Sequence, residues 1–132
     1  MASFIGPNWR WRAIRYQVLI LVFGKTGQVA TELQRLGGVI ALGRDQVDLS
    51  DPKACSDAIW HHEPRAVINA AAYTAVDRAE GEEALATIIN GDAPAAMAGT
   101  CFALGIPLVH ISTDYVFDGT GTVPWQPNDL TA

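Results

Sequence analysis

The sequence has little with which to crosslink itself, ligate a metal or cross a bilayer. Cys55 and Cys101 are its only cysteines, with no CxxC pair and no Cys/His cluster. That excludes a disulfide framework and fits two buried or half-buried thiols in a reducing, cytoplasmic compartment. The three histidines, His61, His62 and His110, have no metal-site spacing, so no metal is expected. No apolar run approaches the roughly 20 residues that a membrane-spanning helix needs. Positive charge is scarce as well. Arg10, Arg12 and Arg15 fall in the first sixteen residues, which leaves 6 basic against 14 acidic side chains from Gln17 onward. An acidic body argues against nucleic acid as a partner, because such binding rests on neutralising phosphates. An anion bound here has to be held by backbone N–H groups and a few placed side chains.

What is present is a strand–turn–helix signal. Residues 18–23 (VLILVF) form a continuous apolar run with no polar face, as expected of a parallel strand covered on both sides. The run ends at Gly24, a second glycine stands at Gly27, and helix-type sequence follows through residue 36, closed by Gly37-Gly38. Residues 39–42 read as a second strand. Ser50-Asp51-Pro52 gives a cap followed by a proline at a helix start, and that helix runs to about His62. Residues 66–69 read as strand three. Residues 80–104 are mostly helix, with a kink expected near residues 90–92 because Gly91 and Pro94 interrupt it. Residues 108–112 read as strand four, and residues 113–132 as loop. The alternation predicts an α/β fold, a Rossmann-like doubly wound parallel sheet of about four strands with flanking helices. A nucleotide would lie across the C-terminal strand ends, at a switch point expected between strands one and four. Residues 1–17 stand apart as a leader, with Gly6-Pro7, two tryptophans and no uninterrupted apolar core of a secretory signal. They read as a start-site extension, disordered or loosely docked, the alternative being a basic-aromatic patch that touches a partner or lipid surface.

Three segments fall at predicted strand ends. The first, GKTGQVA from Gly24 to Ala30, has the GxxGxxG form with alanine in the last place. Gly24 lets the chain turn, Gly27 lets backbone approach a pyrophosphate, and Ala30 lets the helix pack on the strand. Lys25-Thr26 lacks the GxxxxGK[ST] spacing of a P-loop. Thr26, Gln28 and Val29 complete this candidate cofactor loop. About twenty residues beyond Gly24, where an acid usually meets the ribose 2′-hydroxyl, the sequence reads Leu42-Gly43-Arg44-Asp45. Arg44 could pair a 2′-phosphate instead, which points to NADPH with NADH as the other candidate; the plain alternative is a solvated loop arginine. Asp48 and Leu49 could flank the adenine, or Asp48 could cap the next turn. The second segment runs from Asn69 to Asp77, where the small Ala70, Ala71 and Ala72 would let a cofactor lie against backbone near Tyr73 and Thr74. The third, SerThrAspTyrValPhe from Ser112 to Phe117, would put hydroxyls beside a nicotinamide, with Ile111 on its cofactor side. In another context it would be a capping sequence.

Taken together, FGKTGQV, ALGRDQVDL, INAAAYTAVDRAE, HISTDYVFDG and PWQPND resemble the dTDP-4-dehydrorhamnose reductase family of extended short-chain dehydrogenases/reductases. The likeness runs from about Val18 to the C-terminus, and HISTDYVFDG and NAAAYTAVDRAE carry it far more specifically than the glycine loop. The resemblance implies NAD(P)H-dependent reduction of the 4-keto group of dTDP-4-dehydro-L-rhamnose to dTDP-L-rhamnose. It implies phosphate-loop contacts at Gly27, Gln28 and Val29, adenine-side contacts at Asp48 and Leu49, and a cofactor stretch at Ala72, Tyr73 and Thr74. Thr113 matches the hydroxyl residue of the catalytic set and Asp114 a sugar-contacting position, with Thr74 and Val76 bordering the substrate. Asn90 matches a helix asparagine of short-chain dehydrogenases, though it also suits a turn at the kink.

The family's Tyr-x-x-x-Lys pair follows its PWQ segment, and residues 18–132 read as the N-terminal NAD(P)-binding part of the fold, incomplete, without that pair or a C-terminal substrate domain. Gly43 replaces an acid found in some relatives. A second reading is a non-catalytic NADP-binding subunit of the methionine adenosyltransferase beta type, or an inactive fragment. Strand four would then be an unpaired edge, with weak cooperativity, aggregation or a homodimer through that edge as consequences.

Overall fold

The four strands among the described residues are short and mutually parallel. The computed structural model describes residues 19–131, so the reading of residues 1–17 lies outside the described residues. The strands are β1 (Ile20–Phe23), β2 (Val39–Leu42), β3 (Ala66–Asn69) and β4 (Leu108–His110), in sheet order β2-β1-β3-β4. Val22 aligns with Ala41 on one side and Ile68 on the other, and Ile68 with Val109. The switch point therefore lies between β1 and β3. This corrects the expectation of a switch between strands one and four: β3 takes the place beside β1, and β4 pairs only beyond it.

The helices are α1 (Gln28–Leu36), α2 (Pro52–His62), α3 (Val76–Ala79), α4 (Glu83–Thr87) and α5 (Ala93–Leu104). Asp51 caps α2, its Oδ1 accepting the Ala54 N–H at 3.0 Å ahead of Pro52. α5 stops at Gly105, whose left-handed φ of 66° allows Ile106 N–H to bond the Cys101 carbonyl at 3.0 Å. The kink expected near residues 90–92 is a wide, π-type turn, Ile88–Asp92, joining α4 directly to α5. Helix begins earlier than expected, at Val76, and breaks at residues 80–82 around Gly81. β4 ends at His110, two residues short of the expectation, because an edge strand has only one neighbour to hold it. Its final rung is a long 3.3 Å bond from Ile111 N–H to the Asn69 carbonyl.

Side chains alternate across the sheet, so Leu21, Phe23 and Val67 share one face. They bury against Cys55 and Ile59 of α2 and Ala93, Met97 and Cys101 of α5. Val22 points to the other face and is fully buried too, as is Ala30 of α1. Beside β4 apolar surface stays open: Val109, Ile111 and Phe102 are exposed. No helix of the described residues is long and apolar enough to cross a membrane.

Burial pushes the Cys55 thiol up to about 11, with the charges of Asp51 and Asp48 adding to the effect. Cys55 therefore resists iodoacetamide in the folded chain at mildly alkaline pH and reacts once urea unfolds it; equal rates in both states would contradict this core. Ile59→Ala removes a fully buried side chain and is expected to lower urea-unfolding stability by about 2–5 kcal/mol.

Candidate functional site

Three chain segments leave the sheet at its C-terminal edge from adjacent or next-but-one strands. After β1 the chain turns at Gly24, with φ 108°, a conformation that side-chain-bearing residues rarely adopt. A Cβ there would stand 3.2 Å from the Ala70 carbonyl oxygen and 3.4 Å from the Ala71 Cβ, so two strand tips meet at a point where only glycine fits. Gly24 N–H bonds the Leu42 carbonyl at 2.9 Å and Ala70 N–H the Phe23 carbonyl at 2.9 Å, which ties the tip of β1 to both neighbours. Gly27 is the N-cap of α1, with extended φ and ψ and no side-chain cap; no acid stands in the first turn. The leading N–H groups of α1 thus emerge at the C-terminal edge of the sheet with the positive end of the helix dipole. Gln34 Nε2 donates to the Lys25 carbonyl at 2.8 Å and holds the loop back on the helix. Thr26, Gly27, Gln28 and Val29 are exposed along it.

At the tip of β2, Gly43 N–H donates to Gln46 Oε1 at 3.1 Å, and its carbonyl accepts from Gln46 and Val47 at 2.9 Å each. Arg44 Nε bonds Asp48 Oδ2 at 3.0 Å, while Asp48 Oδ1 accepts the Ser50 N–H at 2.9 Å. The Ser50 amide, more than Arg44, holds the Asp48 carboxyl below its ordinary range. Asp48 therefore orients Arg44, whereas Leu49 is half-buried against the core. Lys25, not part of a P-loop, lays its stem across Gly43. A Cβ on Gly43 would come within 3.2 Å of Lys25 Cδ and would also meet Asp45 Oδ1. Lys25 and Arg44 thus flank one strand tip. The loss of an acid at position 43 was the signal for this, but the contact joins segments eighteen residues apart.

After β3 the loop of Ala70, Ala71, Ala72, Tyr73 and Thr74 is pinned from several sides. Asn90, inside the π-type turn, clamps the Tyr73 backbone: Tyr73 N–H donates to Asn90 Oδ1 at 2.8 Å, and Asn90 Nδ2 to the Tyr73 carbonyl at 3.0 Å. The reading of Asn90 as a residue of the kink agrees with its place in this turn. The Tyr73 hydroxyl donates to Glu82 Oε2 at 2.6 Å, and Arg78 donates to Glu82 Oε1 at 2.7 Å. These bonds push the Tyr73 phenol above its ordinary range and hold the Glu82 carboxyl below its own. The Arg78–Glu82 pair has i,i+4 spacing but spans the break between α3 and α4, so a helix expected only from residue 80 did not reveal it or its link to Tyr73. Thr74 and Val76 line an open depression with Ala75, Asp77 and Arg78.

After β4, Ile111 and Thr113 are exposed, and the Thr113 Oγ1 accepts the Tyr115 N–H at 3.2 Å, capping a 3-10 turn that opens at Asp114. Phe117 and Trp125 stack with ring centroids 4.8 Å apart, folding the following loop on itself. Among the described residues no three His, Cys, Asp or Glu side chains gather as a metal site.

A family model described as the RmlD substrate binding domain matches residues 18–132. The chain is 46% identical over 121 residues to a dTDP-4-dehydrorhamnose reductase of Salmonella typhimurium, covering 86% of this chain and 40% of that protein. A dTDP-4-dehydrorhamnose reductase of Streptomyces griseus is 43% identical over 136 residues, covering 99% of this chain and 41% of its own length. The chain thus spans about two fifths of these relatives. Among solved structures, a dTDP-4-dehydrorhamnose reductase of Clostridium acetobutylicum superposes with a TM-score of 0.80 at 36% identity, over 86% of this chain and 42% of its own. One from Bacillus anthracis, solved in complex with NADP, gives 0.70 at 31% identity over 76% and 38%.

The Tyr73–Glu82 bond fixes a pH expectation. A phenol raised by a carboxylate loses its proton only above the ordinary tyrosine range, so the bond persists as pH rises through that range. It is lost at the acid end, when pH falls through the lowered Glu82 value. Glu82→Gln should bring one phenolate transition back toward about pH 10 in an absorbance titration; superimposable titrations of the two proteins would rule the bond out.

Proposed function

The chain belongs to the RmlD substrate binding domain family, and from that premise we propose that it binds NADPH for the cytoplasmic reduction of dTDP-4-dehydro-L-rhamnose to dTDP-L-rhamnose. The observation that carries this is the contact of Gly24 with Ala70, which places a glycine loop and a helix N-terminus on a strip of three small residues. A side chain at Gly24 would collide with the Ala70 backbone and force the loop away from β3, so the glycine keeps the tight strand-to-helix turn that a dinucleotide loop needs. The relatives' names favour a reductase over the regulatory-subunit reading, and the Bacillus anthracis protein was solved with NADP.

A bound nicotinamide supplies the hydride for the sugar carbonyl. The chain's own groups position the reactants. Amides of Gln28 and Val29 hold the pyrophosphate, and Gly24, Thr26 and Gly27 leave room for it. Arg44, aimed by Asp48, and Lys25, laid over Gly43, face the ribose 2′-phosphate, while Leu49 and Asp48 back the adenine side. Ala70, Ala71, Ala72, Tyr73 and Ile111 floor the nicotinamide half. Thr113 orients the carbonyl through its hydroxyl and steadies the developing alkoxide, while Thr74, Val76 and Asp114 border the sugar. The alkoxide must still gain a proton. None of Tyr16, Tyr73 and Tyr115 has a lysine four residues on, and Tyr73 is tied to Glu82 with its phenol raised, the wrong direction for an acid at neutral pH.

Titration of the chain with either dinucleotide, followed by protein fluorescence, tests the reading. NADPH should bind about tenfold or more tighter than NADH, as a charge-assisted contact to the 2′-phosphate implies. Gly43→Asp should reverse the order by repelling that phosphate and displacing Lys25. Binding of neither dinucleotide would refute the proposal. The 132-residue chain by itself should show negligible sugar-nucleotide reduction, and steady NADPH oxidation by the purified chain would show that one of its own groups delivers the proton.

A further inference from the structure

Asn69 is fully buried, at 1% exposure, and closes β3. Its side chain makes two bonds of opposite polarity. The Ala71 backbone N–H donates to Asn69 Oδ1 at 3.1 Å, and Asn69 Nδ2 lies 3.1 Å from Nδ1 of His110, the last residue of β4. A backbone N–H can only donate, so the atom facing Ala71 has to be the oxygen. The amide nitrogen then faces His110, and because it too can only donate, His110 Nδ1 must present its lone pair. The neutral imidazole is thereby fixed with its proton on Nε2. The Asn69 carbonyl also accepts the Ile111 N–H at 3.3 Å. One residue thus holds the first amide of the Ala71–Thr74 loop and the two residues that lead into Ser112 and Thr113.

We propose that Asn69 and His110 are positioning residues, forming a polarity-coded tie that sets the loop after β3 against the hydroxyl-bearing loop after β4. The tie relies on the nucleotide reading above for its purpose, since it fixes the spacing between the floor of the nicotinamide half and Thr113. Its physical logic is independent of that reading. Flipping the amide would strand the Ala71 N–H and set the Asn69 oxygen against the imidazole lone pair. Putting a proton on Nδ1 would oppose two donors. The arrangement is satisfied in one state only, and it rigidifies two loops that are not themselves part of the sheet.

The test uses the full chain with 15N-labelled histidine. Long-range imidazole spectra at a pH where the ring is neutral should show His110 as a single Nε2–H tautomer. In Asn69→Asp the side chain keeps its acceptor for Ala71 but replaces the facing donor with an acceptor, so His110 should switch to carrying hydrogen on Nδ1. Averaged tautomers in the unaltered chain, or a tautomer unmoved by Asn69→Asp, would overturn the tie. Amide exchange gives a second readout that needs no folding-sensitive change at position 69. His110→Ala should speed exchange of the Ala71 amide about tenfold, the loss expected of one part-buried hydrogen bond. His110→Asn, whose Oδ1 takes the place of the imidazole Nδ1, should restore it. Equal exchange in all three proteins would also overturn the tie. NADPH titration of the same samples separates the two claims: a chain with the predicted tautomer and exchange pattern that binds no NADPH confirms the tie and refutes the nucleotide reading, whereas NADPH binding with averaged tautomers does the reverse.

Discussion

The arrangement depends on one close approach, the backbone of Gly24 against the carbonyl of Ala70. The positive φ turns the chain out of β1, and a Cβ only 3.2 Å from the Ala70 carbonyl oxygen would push β3 back, so glycine lets β3 sit this close without strain. Because β3 rather than β4 is the neighbour, the glycine loop lies against the first of the three alanines, with the N-cap glycine of α1 also near the Ala70 carbonyl. Moving those two tips apart to admit a side chain would disturb the bonds from Gly24 to Leu42 and from Ala70 to Phe23 together. Local strain and sheet register are therefore parts of a single constraint.

Much of this was legible in the sequence because it is local. An apolar run with no polar face located β1, short apolar stretches located β2 and β3, the Asp51-Pro52 step located the start of α2, and Gly91 with Pro94 marked the kink before α5. What was not legible is pairing at a distance. Strand order is decided by crossovers, which is why the switch point was misplaced. The length of β4 depended on having one neighbour instead of two. The clamp of Asn90 on Tyr73 and the passage of Lys25 over Gly43 join segments that nothing in composition or periodicity connects. In the candidate site the residue types were readable, as was the turn that Asp48 caps at Ser50, but the side-chain pairs that aim them were not: Asp48 also bonds Arg44, and Tyr73 bonds Glu82.

An acidic chain proposed to bind a dinucleotide needs its favourable field concentrated. The structure does this with directed groups. The uncapped first turn of α1 carries no acid, so its amides are not neutralised from within. Two cations stand near the tip of β2, Arg44 paired with Asp48 and Lys25 with its stem beside Gly43. Elsewhere the ion pairs Arg35–Glu32 and Lys53–Asp57 lie on exposed helix surfaces, where such pairs contribute little.

The wide turn at Ile88–Asp92 has an effect on angular phase. An α-helix advances about 100° per residue, and a π-type turn absorbs a residue without completing the matching rotation. α4 and α5 are consequently out of step, so Asn90 can look toward Tyr73 while Ala93, Met97 and Cys101 still line up on the core. Excision of Gly91 would restore a continuous spiral and force a choice between those two orientations. The chain's tolerance for length variation is thus low at residues 90–92, a place that, judged by solvent exposure alone, looks permissive.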